Sequence, residues 1–159
     1  MAELNLDISQ ELNITARRGD SISFTLTFRD SDGDALDLNA QTVGGDDAIV
    51  KFFMEVRTAS DDDSTTPVLR TKEVGTETLP QSGADTLDGA TGEIVVGTGS
   101  YSTGQVTFSI ASSVMKNVFA GVYVYDIEYY AENQDVSKTS KQTWVRGTFT
   151  VNEDVTITT

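Results

Sequence analysis

Residues 21–28 of the chain, SISFTLTF, alternate strictly between hydroxyl-bearing and apolar side chains. Ile22, Phe24, Leu26 and Phe28 fall on one side of this repeat, and serines and threonines fall on the other. A period of two residues is that of a β-strand, whose successive side chains point to opposite faces of a sheet. The stretch therefore predicts a strand that packs one face on a hydrophobic core and turns the other to solvent.

Later segments repeat this alternation and predict further strands, separated by turn residues. Their predicted inward side chains are Phe52, Met54 and Val56; Val106, Phe108 and Ile110; Tyr123, Tyr125, Ile127 and Tyr129; and Val145, Phe149 and Val151. Residues 111–119 are long enough for only one or two helical turns, with Ser112 or Ser113 as cap and Val114, Met115, Val118 and Phe119 inward. Several short strands without a long helical period predict an all-β, antiparallel sandwich.

The chain of 159 residues contains no internal repeat and no sign of a second core, so we expect one domain over residues 1–159. Residues 58–104 are rich in Ser, Thr, Asp and Gly and predict one long irregular loop excursion. Two short extended pieces, PVLRTKEV and GEIVVG, interrupt this excursion.

The two ends of the chain are predicted to be extended. In residues 1–13, Leu4, Leu6 and Ile8 alternate with polar residues, which indicates either an edge strand or an arm that pairs with a neighbouring chain. Residues 152–159 are predicted to form a C-terminal tail. Leu4, Leu6 and Ile8 are therefore candidate interface residues.

Charge and composition exclude several classes of function. Acidic residues outnumber basic ones 25 to 11, for a formal net charge of −14, which disfavours contact with nucleic acid and with anionic membranes. The sequence has no cysteine and no histidine, so thiolate chemistry, zinc sites and histidine-based catalysis are not expected. We expect a non-enzymatic protein with no cofactor. The first residues do not have the pattern of a signal peptide, so synthesis in a cytoplasm is expected.

A tripeptide at the start of the first clear strand matches an integrin-binding motif. Arg18, Gly19 and Asp20 directly precede the alternating segment. Integrin ligands present this motif at the tip of an exposed loop, whereas here it abuts a strand. We therefore interpret it as a turn, in which Gly19 supplies an unusual backbone angle.

A second acidic stretch, DSDGDALD, places Asp30, Asp32 and Asp34 at alternating positions around Gly33. Oxygen ligands of this kind suit Ca²⁺, but an EF-hand loop needs glycine at its sixth position and glutamate at its twelfth. Ala35 and Gln41 occupy those positions. The preferred interpretation is a solvated hairpin turn, and weak calcium binding by the three aspartates is the alternative. The acidic pairs and runs at residues 46–47 and 61–63 are also interpreted as solvated loops.

Aromatic and aliphatic residues on the later strands suggest contact surfaces. Val122, Val124 and Tyr130 lie on the face of their strand opposite the predicted core face, which makes them candidates for contact with another protein. Trp144 alternates away from Val145 and is a candidate interface anchor. The tyrosines also permit an alternative, in which the aromatic faces stack on sugar rings.

Five short motifs in this arrangement resemble a family of small immunoglobulin-like virion proteins of tailed bacteriophages, including the N-terminal domain of upper baseplate proteins. The motifs are Gly19-Asp20 before the first long strand, the Asp32-Gly33 turn, the DL segment at residues 36–38, the G-x-Y-x-Y-D-I strand at residues 121–127, and residues 147–156. The resemblance covers residues 16–58 and 104–156, and the segment between them is longer than the family's usual connection.

The resemblance implies an immunoglobulin-like β-sandwich and a structural role in a phage particle. The expected partners are other virion proteins at the tail, baseplate or fibre attachment, or on the capsid as decoration, with copies forming a homo-oligomer. The expected location is the virion, after synthesis in the host cytoplasm. The alternative function is a carbohydrate-binding or adhesion module, with Ca²⁺ as a possible aid.

Overall fold

A computed structural model describes residues 10–40, 42–43, 46–59, 67–73, 90–95, 101–133 and 139–155. Its strands are β1 (Gln10–Glu11), β2 (Ile14–Arg17), β3 (Ile22–Thr27), β4 (Thr42–Val43), β5 (Asp46–Arg57), β6 (Leu69–Glu73), β7 (Ala90–Val95), β8 (Gln105–Ile110), β9 (Gly121–Asn133) and β10 (Thr139–Asn152). One α-helical turn, α1 (Ser112–Met115), and two short 3₁₀ turns complete the described elements. The prediction of an all-β protein is confirmed. No helix in the described part is long and apolar enough to cross a lipid bilayer.

The strands are hydrogen-bonded in the order β1-β10-β9-β5-β6-β7-β8-β3, with β2 also on β10 and β4 also on β5. Strands from the two ends of this order contribute to one hydrophobic cluster. Phe28, which follows β3, has its ring centroid 4.9 Å from that of Trp144 on β10. The sheet must therefore curl around its core, because a flat sheet would keep these strands far apart.

The sheet is mixed rather than purely antiparallel, which corrects the prediction. β1 and β2 run parallel to β10, and β6 runs parallel to β7. Parallel neighbours need a long connection, and residues 74–89 supply one between β6 and β7. The two extended pieces predicted within residues 58–104 thus include strands β6 and β7, which lie inside the strand order rather than at its edge.

Most of the core consists of the inward residues that the alternation predicts, and Ala16, Leu38 and Leu69 also belong to it. Phe52, Met54 and Val56 of β5 are fully buried, as are Val106, Phe108 and Ile110 of β8. Their partners on β9 and β10 are also buried: Tyr125, Ile127, Tyr129, Val145, Phe149 and Val151. Ile22, Phe24 and Leu26 of β3 pack against this cluster but stay half-buried. The alternation therefore identifies the core face of each of these strands correctly.

The single helical turn agrees with the predicted length, but its cap and the last of its predicted inward residues differ from the prediction. Met115 and Val118 are fully buried and Val114 is half-buried, as expected. The side chain of Phe119, however, is 69% exposed. Ala111 occupies the N-cap position, and no side chain caps this turn. Because α1 has only four residues, the chain has left the helical path before Phe119 and the helical period no longer applies to it.

The N-terminal segment runs parallel to β10 and approaches it closely at Gly147. β1 and β2 keep one register against β10, interrupted at Leu12 and Asn13. The Asn13 side-chain oxygen accepts bonds from the backbone N–H and the hydroxyl of Thr148, both at 2.9 Å. A Cβ at Gly147 would lie 2.8 Å from the Leu12 carbonyl carbon and closer still to its oxygen. Gly147 therefore permits this close approach, and β1 and β2 form an edge of their own chain's sheet.

One polar group in the core has no partner. Thr71 of β6 lies opposite Met54 and is fully buried, and its hydroxyl has no hydrogen-bond partner in the described structure. A buried hydroxyl without a partner loses the bonds that water would give it in the unfolded chain.

We expect Thr71→Val to raise the free energy of unfolding by about 1 kcal/mol, because valine keeps the shape and removes the unsatisfied group. Chemical denaturation of the two proteins measures this difference. Thr107→Val is the matched control, since its hydroxyl is bonded to that of Thr25 at 2.8 Å, and it should give no gain. A loss of stability in Thr71→Val would show that the hydroxyl is bonded after all.

Candidate interaction surface

Arg18 of the integrin-like tripeptide is held by the domain itself. Gly19 has a φ of +83°, and the N–H of Asp20 bonds to the carbonyl of Arg17 at 3.2 Å, which closes the turn between β2 and β3. The Arg18 Nε donates to the Lys116 carbonyl at 3.1 Å, and the guanidinium lies 5.0 Å from the centroid of the Phe119 ring. The interpretation as a turn before a strand is confirmed.

The surface around Arg18, which we call the Phe119 corner, consists of Arg18, Phe119, Val122 and Glu153. These residues lie at one end of the sheet, where β2 and β10 end and β9 begins, since Arg17 pairs with Asn152 and Val151 with Gly121. Glu153 lies 3.7 Å from the Arg18 guanidinium. The Phe119 and Val122 side chains are 69% and 68% exposed.

The backbone beneath this corner is fixed. The Tyr123 hydroxyl donates to the carbonyl of Phe119 at 2.8 Å and so ties the segment after α1 to the start of β9. The exposed Phe119 ring contacts the Arg18 guanidinium, and its backbone is held in place. Protein contact surfaces are enriched in aromatic residues and arginine, so this pair has the composition of such a surface. The sequence did not identify Phe119, because a helical period wrongly assigned it to the core.

The outward face of β9 is only partly apolar. Val122 is exposed, as predicted, whereas Val124 is half-buried. Asp126 and Glu128 follow on the same face, so the apolar part does not continue along the strand. Tyr130 belongs to β9, but its side chain lies outside the described part, and so do residues Leu4, Leu6 and Ile8. Of the candidates on β9 whose side chains the structure describes, Val122 is the most exposed.

Beside Val124, the same face of the sheet carries a group that we call the charged cluster: Glu55, Arg57 and Arg70. One carboxylate oxygen of Glu55 accepts from Arg57 Nη2 at 2.8 Å, and the other forms an ion pair with Arg70. The side chains of Glu55 and Arg57 are each 25% exposed and that of Arg70 is 12% exposed. The cluster joins β5 to β6 and is therefore a structural element of this face.

Trp144 does not face away from Val145, which corrects its prediction as an interface anchor. The register of β10 against β9 shifts between Thr143 and Val145, so Trp144 is the extra residue of a β-bulge. Its ring stacks on Tyr129 at 4.8 Å and packs against the core. Alternation holds only while each residue has one partner, and the bulge turns Trp144 towards the core side.

The aromatic residues do not form an exposed stacking platform in the described structure. The rings of Tyr125 and Tyr129 pack against Phe149 and Phe52. Burial raises the pKa of Tyr125 to about 12, and that of Tyr129 likewise to about 12. Their hydroxyls therefore stay protonated at neutral pH, and the Tyr125 hydroxyl donates to the Leu12 carbonyl at 2.6 Å. These tyrosines pack in the core, and Tyr125 also binds the N-terminal segment. Their rings are therefore not exposed for stacking on a sugar.

The acidic stretch after β3 forms the predicted hairpin turn. The Asp30 side chain accepts from the backbone N–H of Asp32 and of Asp34, at 2.9 and 3.0 Å, and Gly33 has a φ of +88°. One Asp30 oxygen is thus used to shape the turn. Within the described residues, no group of three or more acidic side chains is close enough to hold a metal ion. Residues 46–47 begin β5 and pair with β4, so their interpretation as a loop is wrong. Their side chains lie outside the described part, as does the acidic run at residues 61–63.

No protein-family model matches the chain. A search of curated proteins also finds no significant match.

Proposed function

We propose that the domain is an immunoglobulin-like sandwich and that it serves as a non-enzymatic structural component of a tailed bacteriophage particle. The strand order supports the first part. The order β3-β8-β7 corresponds to strands B, E and D of one sheet of such a sandwich. The order β10-β9-β5-β6 corresponds to strands G, F, C and C′ of the other sheet. The long connection around residues 58–104 then includes C′, D and the segments that flank them.

A second feature supports the same assignment. Immunoglobulin-like domains commonly carry a tyrosine at the start of strand F whose hydroxyl bonds to the backbone a few residues upstream. Tyr123 stands at the start of β9, the strand that corresponds to F, and donates to the carbonyl of Phe119 four residues earlier. The strand that carries this bond also carries the G-x-Y-x-Y-D-I motif of the resemblance to phage proteins.

The Phe119 corner carries the functional part of the proposal. Its exposed ring, its adjacent arginine and its exposed valine are arranged for contact with another protein, not for chemistry on a small molecule. In the proposed role, copies of the domain assemble symmetrically with other virion proteins at the tail, baseplate, fibre attachment or capsid surface. Nucleic acid and membrane are not partners in this proposal, because the net charge of −14 opposes both.

Quantitative mass spectrometry of purified particles tests the proposed role. The phage that encodes the chain should contain it in a fixed copy number relative to its known tail and capsid proteins. If particles that are free of host debris contain none of the protein, the structural role is wrong.

We expect Phe119→Ser to leave the fold unchanged and to reduce incorporation into particles by at least about tenfold, because a hot-spot aromatic contributes about 2 kcal/mol or more to a contact. Incorporation is measured in particles assembled with the variant as the only source of the protein. Phe119→Leu is the matched control, since it keeps an apolar side chain at the same place. Equal incorporation of wild type and Phe119→Ser would contradict the assignment of this corner as the contact.

A further inference from the structure

Strand β3 is the end of the described strand order and has one free edge. Among the described strands it pairs only with β8. Its apolar residues Ile22, Phe24 and Leu26 are half-buried, whereas their partners Ile110, Phe108 and Val106 on β8 are fully buried. The three β3 side chains therefore expose apolar surface that a further strand beside β3 would cover.

The backbone of β3 offers hydrogen bonds at this edge. Phe28, directly after β3, donates its N–H to the Gly104 carbonyl at 2.8 Å, on the β8 side. In an antiparallel ladder the backbone groups point alternately to the two sides of a strand. Ser23 and Thr25 therefore direct their N–H and C=O groups to the free edge, where they are available to a neighbouring strand.

The two ends of β3 differ in charge. Near its start, the cations Arg17, Arg18 and Lys116 are matched by the anions Asp20, Glu153 and Asp154. After its end lie the exposed carboxylates of Asp30, Asp32 and Asp34, with Arg29 beside them. A second β3 that runs antiparallel would keep the two acidic turns at opposite ends of the pair. A parallel neighbour would instead bring the two acidic turns together.

We propose that β3 pairs antiparallel with β3 of a second copy of this chain, about a twofold axis at Phe24. In this register Phe24 lies opposite its own copy and Ile22 lies opposite Leu26, so the three half-buried residues cover one another. The turn that contains Arg18 then lies at the same end of the pair as the partner's acidic turn after β3. The surface is self-complementary, as a closed twofold dimer requires. This contact uses the edge of β3 rather than the exposed side chains of Phe119 and Val122, and it does not rest on the proposed virion role.

Sedimentation of the full chain in about 0.15 M salt tests this pairing, because screening there limits the repulsion between the acidic copies to about 8 Å. We expect a monomer–dimer equilibrium between about 10 µM and about 500 µM, the range that suits a small contact. Thr25→Pro removes an N–H from the free edge and should weaken association by at least about tenfold. Thr25→Val is the matched control. Like Thr25→Pro it removes the hydroxyl bond to Thr107, but it keeps the N–H at the free edge, so it should associate like wild type.

A cross-link tests the register without dependence on proline. The natural chain has no cysteine, so Ser23→Cys with Thr25→Cys introduces the only thiols. The proposed axis places Ser23 opposite Thr25 of the partner, and mild oxidation should give a covalent dimer, which Ser23→Cys alone should not.

Three results would overturn the proposal. The first is a wild-type chain that stays monomeric over the whole concentration range. The second is a Thr25→Pro variant that associates like wild type, combined with a double-cysteine variant that forms no covalent dimer. The third is loss of association in Leu6→Asp, which would assign the contact to the N-terminal residues instead of β3.

Discussion

Gly147→Ala should lower the free energy of unfolding by about 3 kcal/mol, the upper end of the usual cost of overpacking. The added Cβ would overlap the Leu12 carbonyl, and the atoms that must move are backbone atoms of the neighbouring segment rather than the end of a flexible side chain. Movement of Leu12 would also break its carbonyl's bond to the buried Tyr125 hydroxyl. Urea denaturation of the variant measures the loss.

Gly121→Ala is the matched control for this prediction. Gly121 also lies in a strand of the same sheet, but its added Cβ would meet only the Tyr123 ring, at 3.4 Å. We expect a change within about 0.5 kcal/mol, as for a substitution without a close backbone neighbour. Equal stability of Gly147→Ala and wild type would mean that Leu12 does not lie against Gly147 of β10 where the structure places it.

Glu55→Ala should lower the free energy of unfolding by about 2 kcal/mol. Removal of one partner from a buried ion pair costs about 3–5 kcal/mol, and the charged cluster is partly exposed, so the expected cost is smaller. The loss arises because Arg57 and Arg70 would keep their positive charges close together without the carboxylate that they share. The variant's denaturation midpoint measures it.

Two controls separate the effect of the Glu55 charge from the effect of its side-chain size and from the effect of removing any surface ion pair. Glu55→Gln keeps the size of the side chain and one carbonyl acceptor, so its cost should fall between those of wild type and Glu55→Ala. Glu153→Ala removes a 63% exposed carboxylate that lies 3.7 Å from Arg18, and should cost less than about 0.5 kcal/mol. If Glu55→Ala costs no more than Glu153→Ala, the charged cluster does not stabilise the join between β5 and β6.

Alternation along single strands predicts the core of this protein well. The inward residues of β5, β8 and β9 follow from a period of two, because each strand has one face on the same hydrophobic cluster. The turn at Gly19 and the hairpin at Gly33 also follow from the sequence, since only glycine adopts a positive φ readily.

Features that depend on a strand's partner could not be predicted in this way. Trp144 faces the core because β10 gains a residue relative to β9, and the sequence of β10 alone contains no sign of that shift. The parallel position of β2 on β10 is likewise a property of two distant segments. The close approach of Leu12 and Asn13 to Gly147 likewise depends on this pairing of distant segments.

The candidate contact surface was predicted only in part. Val122 follows from the alternation of β9, and its exposure agrees with the prediction. Phe119 was missed because four residues of helix were extended to eight, which turned its ring towards the core. A chain that is about to enter a strand at Gly121 has already left the helical path, and this is the signal that could have identified Phe119.

A density map of the purified phage particle tests the central claim most directly, namely that this domain is an immunoglobulin-like structural component of a virion. We predict symmetric copies of density that accept the described strands, with the Phe119 corner against a neighbouring protein. A complete map in which every part of the tail, baseplate and capsid is accounted for by other proteins, and no density accepts this domain, would contradict the account.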